Sequence, residues 1–482
     1  MDRKITIRSN EASDIELPID FDFCYSHEYL SQRAVTKGIR NLIAKNPRFE
    51  DHTTTPPVFY VIGAGHIGKE IIADLARLCH LKNSVQHDNV TERYTYHTPA
   101  VIHVIDKDQE AEEHLYQAYP ILRKIKPINV SISMLSAEDE IASIKKSGTP
   151  IETDPLTLPL PDITFHTCDI ALPYNLNKLA AKILEDKADA VIIATGDDAK
   201  TVSTALSIEH EFDTLAGPDQ NATRPIISIY YEKFGGFDAF FGNSRDNKLS
   251  LAYTKIIRHP SGKTTPGPSG CPTHIQPLAN WSAFTYHKDS THDKVDIIAQ
   301  GADACYSRHD YTKDIFSSGG PNIEPLDNEE SLDEKAREEL KMSRKKRWDE
   351  LPEIQQKQNR DQVYHNYIKL NLLGYSVIAE KKLKEGKNIP DGYEKVEWTE
   401  IQSELQSNVE WLSRLEHQRW WAEQLLAGWH YNPVRNDPLK HHPNMLPFED
   451  LHDKGDEDKD RFAVCEMQVS FSYADYIPIK RI

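Results

Sequence analysis

The chain has 482 residues, 57 Lys plus Arg against 75 Asp plus Glu, and a formal net charge of −18. That length allows about two to four domains and a large core, and 39% apolar with 27% charged residues excludes a disordered chain. The acidic balance excludes a general nucleic-acid or anionic-membrane binder.

No apolar run reaches the ~18–20 residues of a spanning helix. The first residues (MDRKITIRSNEASDIELP) lack the apolar region of a secretory signal. The expectation is a cytoplasmic protein with no membrane insertion. Six cysteines without a CxxC pair suit a reducing compartment. Neither they nor pairs such as His287/His292 and His441/His442 have zinc-ligand spacing, so no metal site is expected.

Residues 1–55 read as a leader with a strand at Lys4–Arg8, an acidic stretch and a short helix around Leu30–Ala44. His52–Pro57 (HTTTPP) marks a linker. The run VFYVIGAG from Val58 is continuous and apolar, the pattern of a strand buried on both faces. Ile67, Ile71, Ile72, Leu75 and Leu78 then recur at helical spacing, and a polar loop follows over Lys82–Pro99. Further buried strands are expected at Ala100–Asp106, Ile163–Cys168, Ala190–Thr195 and Pro225–Tyr231, with helices at Leu176–Asp186 and Lys200–Glu211. Strands alternating with helices predict an α/β fold, a doubly wound parallel sheet spanning residues 56–235.

Residues 236–330 read as an extension and linker, with Pro- and Gly-rich loops at His259–Pro277 and Ser317–Ser331. From residue 331 to 482 the chain turns charged, aromatic and helical, and a separate, mainly helical domain is expected there. Its stripe of Leu405, Val409, Leu412, Leu415, Ala422, Leu425 and Leu426 stops at Gly428, a helix C-terminus signal.

Gly63-Ala64-Gly65-His66-Ile67-Gly68 is a GxGxxG placed between the first strand and the first helix. In that setting the glycines permit a tight turn, close approach of backbone to a pyrophosphate, and tight helix–strand packing. The helix N-terminus offers N–H groups and a partial positive charge to the phosphates. Asp106, ending the second strand, is placed to accept the ribose hydroxyls of an adenosine half. Its separation from Gly68 exceeds the usual ~20 residues, which the polar loop after Lys82 accounts for.

ADAVIIATGDDAKTVSTALSI (Ala188–Ile208), with IDKD (Ile105–Asp108) and Cys168-Asp169, resembles the TrkA-N domain, the N-terminal part of the RCK proteins that regulate potassium transport. The likeness covers residues 58–231; Cys168 stands where that family has glycine, and Met134–Pro161 reads as an insertion. The resemblance implies NAD, ATP or ADP as a regulatory ligand, without distinguishing them, and a homodimer. It adds His66, Ile67, Lys107, Asp169, Thr195 and Gly196 to Gly63, Gly65, Gly68 and Asp106 as nucleotide-binding candidates.

Glu416–Leu451, followed by DKDR at Asp458–Arg461, resembles the RyR domain, the repeat named after ryanodine receptors. The matching residues are His417, Trp420, Gly428-Trp429, Tyr431, Arg435, Asp437, Lys440, His442-Pro443, Pro447-Phe448 and Asp460-Arg461. Asn432 stands for the usual Gly and Asn436 for the first Asp; Asn is the best non-glycine residue at positive φ. The full copy is expected over 405–482. A partial first copy is expected over 340–375, where Trp348-Asp349-Glu350-Leu351 with Arg360 parallels Phe448-Glu449-Asp450-Leu451 with Arg461.

On a packing reading Trp420 and Leu425 belong to the core. On a binding reading His417, Trp420, Trp429, Tyr431, Arg435, Asp437, Lys440 and His442 hold a second ligand, with polar groups on a turn-rich stretch serving recognition.

Three functions remain in play. The first is a non-catalytic nucleotide-binding sensor, its pairing of domains pointing to stress or phage defence and an effector partner. The second is an NAD-dependent oxidoreductase using Tyr253, Lys255 or His259. The third is a soluble regulatory subunit of a potassium transporter. Tyr174 and Lys178 have short-chain-dehydrogenase spacing but follow the wrong strand, and no GxSxG, HExxH or P-loop occurs, so no catalytic residue is assigned.

Overall fold

A computed structural model describes residues 26–45, 55–81, 85–88, 93–96, 98–123, 158–216, 224–230, 275–279, 291–308, 334–380, 383, 389–390, 392–451 and 454–482. Helix α1 (Ser26–Lys45) precedes strand β1 (Val58–Ile62) and helix α2 (His66–Leu78). A short antiparallel hairpin, β2 (Val85–Asp88) with β3 (Arg93–Tyr96), lies within the expected polar loop. Then come β4 (Val101–Asp106), α3 (Ala111–Ala118), β5 (Asp162–Thr167), α4 (Pro173–Glu185), β6 (Ala190–Ile193), α5 (Asp198–Ala216), β7 (Ile226–Tyr230), β8 (Ile275–Ala279) and α6 (Thr291–Arg308).

The sheet is six-stranded and parallel, in the order β5-β4-β1-β6-β7-β8. The first strand is central, the next two stack outward on one side and the last three on the other. This is the strand order of a doubly wound dinucleotide-binding sheet, with its topological switch point between β1 and β6. The five strands read as apolar runs lie within a residue or two of their expected bounds, but β5, expected to be buried, is an edge strand with no fully buried residue.

Strand β8 is a correction, because Pro- and Gly-rich sequence predicts a loop over His259–Pro277. Pro277 lacks an N–H for a ladder, and an edge position beside β7 tolerates it. Helix α6, inside the expected linker, is likewise unforeseen. Lys4–Arg8, residues 134–157 of the expected insertion, Tyr253, Lys255, His259 and Ser317–Ser331 lie outside the described residues.

Two cores flank the sheet. Tyr60, Ile62, Val191 and Ile193 pack with α4 and α5 on one face. On the other, Phe59, Val61, Ile102 and Val104 pack with Ile71, Ile72 and Leu75 of α2. Helix α1 lies over that second face against α2 and β8, burying Ala34, Val35, Ile39, Leu42 and Ile43. The helix expected around Leu30–Ala44 is therefore an integral part of the α/β layer.

The C-terminal region continues with α7 (Glu334–Glu350), α8 (Glu353–Leu372), β9 (Tyr375–Ala379), β10 (Tyr393–Lys395), α9 (Trp398–Ser407) and α10 (Val409–Leu426). After these come β11 (His430–Tyr431), β12 (His441–His442), α11 (Lys454–Cys465), α12 (Met467–Tyr473) and β13 (Tyr476–Arg481). Strand β13 pairs antiparallel with both β9 and β10. The apolar stripe is divided between two helices at Asn408.

Helix α10 ends in a Schellman motif. Gly428 has φ +81°, its N–H bonds the Leu425 carbonyl at 3.0 Å, and the Trp429 N–H bonds that of Gln424 at 2.9 Å. The C-terminal region is mainly helical and is packed against the α/β layer. Helices α8 and α10 pack on α1 and α2, so residues such as Val363, Ile368, Leu412 and Trp421 share one core with the sheet. Among the described residues no helix is long and apolar enough to cross a membrane.

Candidate functional site

The glycine loop sits at the switch point, and its three glycines do three different jobs. Gly63 has φ +97°, and a Cβ on it would overlap the Ala194 carbonyl at the end of β6. A Cβ on Gly68 would overlap the Gly63 carbonyl oxygen, so only glycine lets α2 approach β1 this closely. Gly65 is different. A Cβ there meets nothing within 4 Å, and Gly65 is the N-cap of α2 with no side chain capping the helix. Gly65 and His66 are exposed, so there is open space at the N-terminus of α2, the kind of place where a helix can hold an anion.

Asp106 closes the loop. Its Oδ2 accepts from the Ala64 N–H at 2.6 Å and its Oδ1 from the Asp108 N–H at 2.9 Å. Each oxygen keeps a further lone pair for a sugar hydroxyl. Asp169 follows the neighbouring strand and is exposed, and its Oδ1 accepts from the Ala171 N–H at 3.1 Å. Across the switch point Thr195 holds the turn after β6. Its Oγ1 lies 2.9 Å from Thr201 Oγ1 and donates to the Asp197 carbonyl, while Gly196 takes φ +77°. His66 and Lys107 are exposed and Ile67 is buried in the core. The structure therefore gathers the crevice candidates along the C-terminal ends of β5, β4, β1 and β6. Tyr174 and Lys178 lie apart on α4, the Lys178 ammonium 4.3 Å from the Tyr174 ring centre.

A second site lies between α6, α8, α10 and α11, a cavity of about 380 Å³. His417, Trp420, Trp429, Arg435 and His442 line it; Tyr431, Asp437 and Lys440 do not. His417 is clamped, with Nδ1 at 2.9 Å from Asp460 Oδ2 and Nε2 at 2.7 Å from the Leu446 carbonyl. Burial alone would lower its pKa, but Asp460 and the carbonyl outweigh burial and raise it, favouring the imidazolium. It offers a ligand its ring, not a free nitrogen. His442 is the opposite case. Burial, with Arg435 and Lys459 nearby, lowers it to about 4, and its Nδ1 accepts from the Asn444 N–H at 3.1 Å. The neutral ring then carries its proton on Nε2.

Lys440 has φ +54° and its Nζ donates to the Ala427 carbonyl at 2.7 Å, capping α10. Arg435 is bound by both oxygens of Asp437 at 2.7 and 3.1 Å. Trp420 is half-buried on the cavity wall, and its neighbour Trp421 is the tryptophan that fills the core.

Asn432 corrects an expectation too. It is not among the described residues with positive φ; its Oδ1 instead accepts from the Val434 N–H at 2.9 Å. Asn436 accepts from the Leu439 N–H as an N-cap, a task Asp and Asn share.

The internal echo has matching geometry. Arg360 lies 5.5 Å from the Trp348 ring centre and Arg461 lies 5.6 Å from that of Phe448. The Leu351 N–H bonds the Trp348 carbonyl at 3.1 Å, and the Leu451 N–H bonds that of Phe448 at 3.3 Å.

Residues 394–473 match the RyR domain. The match begins at β10 and ends with α12, so the RyR domain supplies α10 and α11 of the cavity wall while α6 and α8 lie outside it. No match to the chain was found among curated proteins.

What sequence reasoning missed is the polar seam behind the cavity. Glu416 on α10 lies 2.7 Å from Lys369 and 3.0 Å from His365 of α8, and 2.7 Å from Arg419. Arg419 also bonds Glu423 at 2.7 Å. Asp361 of α8 accepts from Gln32 of α1 at 2.6 Å and faces Arg77 of α2 at 3.7 Å. Charged residues at helical spacing read as a solvated face. The signal available was their position inside an apolar stripe, as in Leu415-Glu416-His417.

Proposed function

We propose that the protein is a non-catalytic, nucleotide-responsive regulator that holds an adenine nucleotide, NAD, ATP or ADP, in the crevice at the switch point. The carrying observation is the division of labour among Gly63, Gly65 and Gly68. Two glycines are required by packing, and the third is required by nothing in the protein itself. An uncapped helix N-terminus beside it and Asp106 at the end of β4 supply phosphate and ribose contacts. The likeness of residues 58–231 to TrkA-N domains supports a regulatory ligand and a dimer. The RyR domain then takes a second nucleotide-type ligand or a partner, and the buried seam between α2, α8 and α10 joins the two sites.

The test is isothermal titration calorimetry with NAD, NADH, ATP and ADP on the wild type and on Gly65→Arg. A Cβ at Gly65 meets nothing within 4 Å, and an arginine there would extend from it into the phosphate space. The expected result is binding by one of these ligands that Gly65→Arg abolishes with the melting temperature unchanged. Binding by none of them, or binding indifferent to Gly65→Arg, sinks the reading. Turnover of NADH with a carbonyl substrate would replace it by an oxidoreductase.

A further inference from the structure

The cavity of the C-terminal region has a wall chemistry of its own. Every cation on it is already matched. His417 faces Asp460 at 2.9 Å, Arg419 faces Glu416 and Glu423 at 2.7 Å, Arg435 faces Asp437 at 2.7 Å and Lys459 faces Asp456 at 2.7 Å. A polyphosphate entering here would find no uncommitted positive charge, and would meet Glu416, Asp456 and Asp460 as well. The site in the crevice and the site in the cavity therefore differ in the ligand charge they accept.

What the wall does offer is carboxamides and aromatic rings. Gln424 is 3% exposed, lines the cavity, and its carboxamide makes no hydrogen bond to a described residue. A buried amide without a protein partner is one aimed at a ligand or water. Gln358 and Asn359, half-buried on α8 across the cavity, make none either. A carboxamide presents a donor and an acceptor side by side, which matches the paired donor and acceptor on a nucleobase edge. Trp420 and Trp429 stand on the same wall, with the His442 ring centre 5.0 and 6.1 Å from theirs, and offer surface for stacking a flat heterocycle. The volume of about 380 Å³ falls at the small end of the range for small-molecule sites.

We propose that this cavity binds an uncharged or singly charged nucleoside, its base stacked among Trp420 and Trp429 and its edge hydrogen-bonded by Gln424 with Gln358 and Asn359. This specifies the second ligand of the function proposed above and rests on that reading for its regulatory meaning only. The site is composite. Gln358 and Asn359 lie on α8, outside the segment that matches the RyR domain, so residues 394–473 alone would present half of it.

The experiment is calorimetric titration of the full chain with adenosine, guanosine, cytidine and uridine, with their monophosphates and triphosphates, and with glucose as a non-aromatic polar ring. It is run on the wild type, Gln424→Met, Asn359→Ala and Gly65→Arg, with melting temperatures of the unliganded proteins to show that each is folded. The expected result is one nucleoside that binds more tightly than its own triphosphate. Its dissociation constant rises ~10-fold in Gln424→Met and in Asn359→Ala and stays unchanged in Gly65→Arg. Loss in Gly65→Arg alone would move the ligand to the crevice and overturn the proposal. So would a triphosphate that binds more tightly than its nucleoside, glucose in place of every nucleoside, or no binding at millimolar concentration. Because Gly65→Arg and Gln424→Met act on different sites, failure of the crevice reading and failure of this one give different patterns.

Discussion

Lys369 Nζ lies 2.7 Å from Glu416 Oε2, and both side chains are buried. Burial alone would raise the Glu416 pKa, but Arg419, Lys369 and His365 hold the carboxyl well below the ordinary carboxylate range. The carboxylate is thus the common anion of three partners contributed by two helices. Glu416→Gln leaves the buried Lys369 without its ion-pair partner, while Arg419 keeps Glu423, and is expected to destabilise by about 3–5 kcal/mol. Lys369→Met should destabilise less, because Arg419 still neutralises Glu416. Urea unfolding of the two single variants and the double variant checks this, and the double should lose less than the sum of the singles.

Glu466 gives the pH dependence. Burial pushes its pKa up from 4.5 to about 7, against the opposing pull of Lys369 and the Gln362 and Asn366 amides. The unfolded chain loses this proton near 4.5 and the folded chain near 7, so folding takes up a proton between those values. Stability from this group is complete below about pH 4.5 and falls as pH rises towards 7. Glu466→Gln, which keeps an acceptor for Gln362 and Asn366, should raise the melting temperature at pH 8 more than at pH 5. A variant that shifts both equally would show that Glu466 is not the titrating group.

The parts of the fold legible in sequence are those whose environment is uniform. VFYVI, AVII and IISIY are buried on both faces, so apolar runs announced β1, β6 and β7 without any alternation to decode. The glycine loop was legible because its spacing reports backbone constraints local to one strand, one turn and the start of one helix. Strand β8 was not, because Pro277 and its glycine-rich approach signal a turn while an edge position tolerates what a central strand would reject. The cavity was half legible. His417, Trp420, Trp429, Arg435 and His442 carry the RyR pattern, whereas Gln358, Asn359 and Gln424 are ordinary helix residues that become a site only when α8 meets α10. Likewise nothing local told His417 from His442, whose pKa values are moved in opposite directions by Asp460 and by burial beside Arg435.

The glycine loop makes a prediction that separates packing from binding. Gly68→Ala forces a Cβ into the Gly63 carbonyl, so α2 must move off β1, a change expected to destabilise by about 1–3 kcal/mol. Gly65→Ala adds a Cβ that touches nothing within 4 Å at a φ of −64°, so stability should stay within about 0.5 kcal/mol of wild type. Thermal unfolding without ligand reads both. Equal losses in the two variants would contradict the assignment of packing to Gly68 and ligand approach to Gly65.

Helices α1, α2, α8 and α10 share one apolar core and one buried polar seam, and this sets how the chain unfolds. Gln32 of α1 donates to Asp361 of α8 at 2.6 Å, Arg77 of α2 faces the same carboxylate, and the His365 Nε2 lies 3.4 Å from the carbonyl of His80, just beyond α2. Opening the seam between α2 and α8 would break these pairings and expose the apolar core the helices share, so the sheet and the RyR domain should melt in one transition. The seven tryptophans provide the probe, because none lies between residues 1 and 280. Six of the seven lie at or after Trp348, and Trp281→Phe leaves tryptophan fluorescence reporting on the C-terminal part of the chain alone. A nucleotide bound in the crevice at ~100 times its Kd stabilises by about 2.7 kcal/mol, and the fluorescence-detected melting temperature should rise together with that from circular dichroism. A crevice ligand that raised only the circular dichroism transition, leaving tryptophan emission to melt at its old temperature, would show that the seam does not join the two parts and that α8 and α10 unfold on their own.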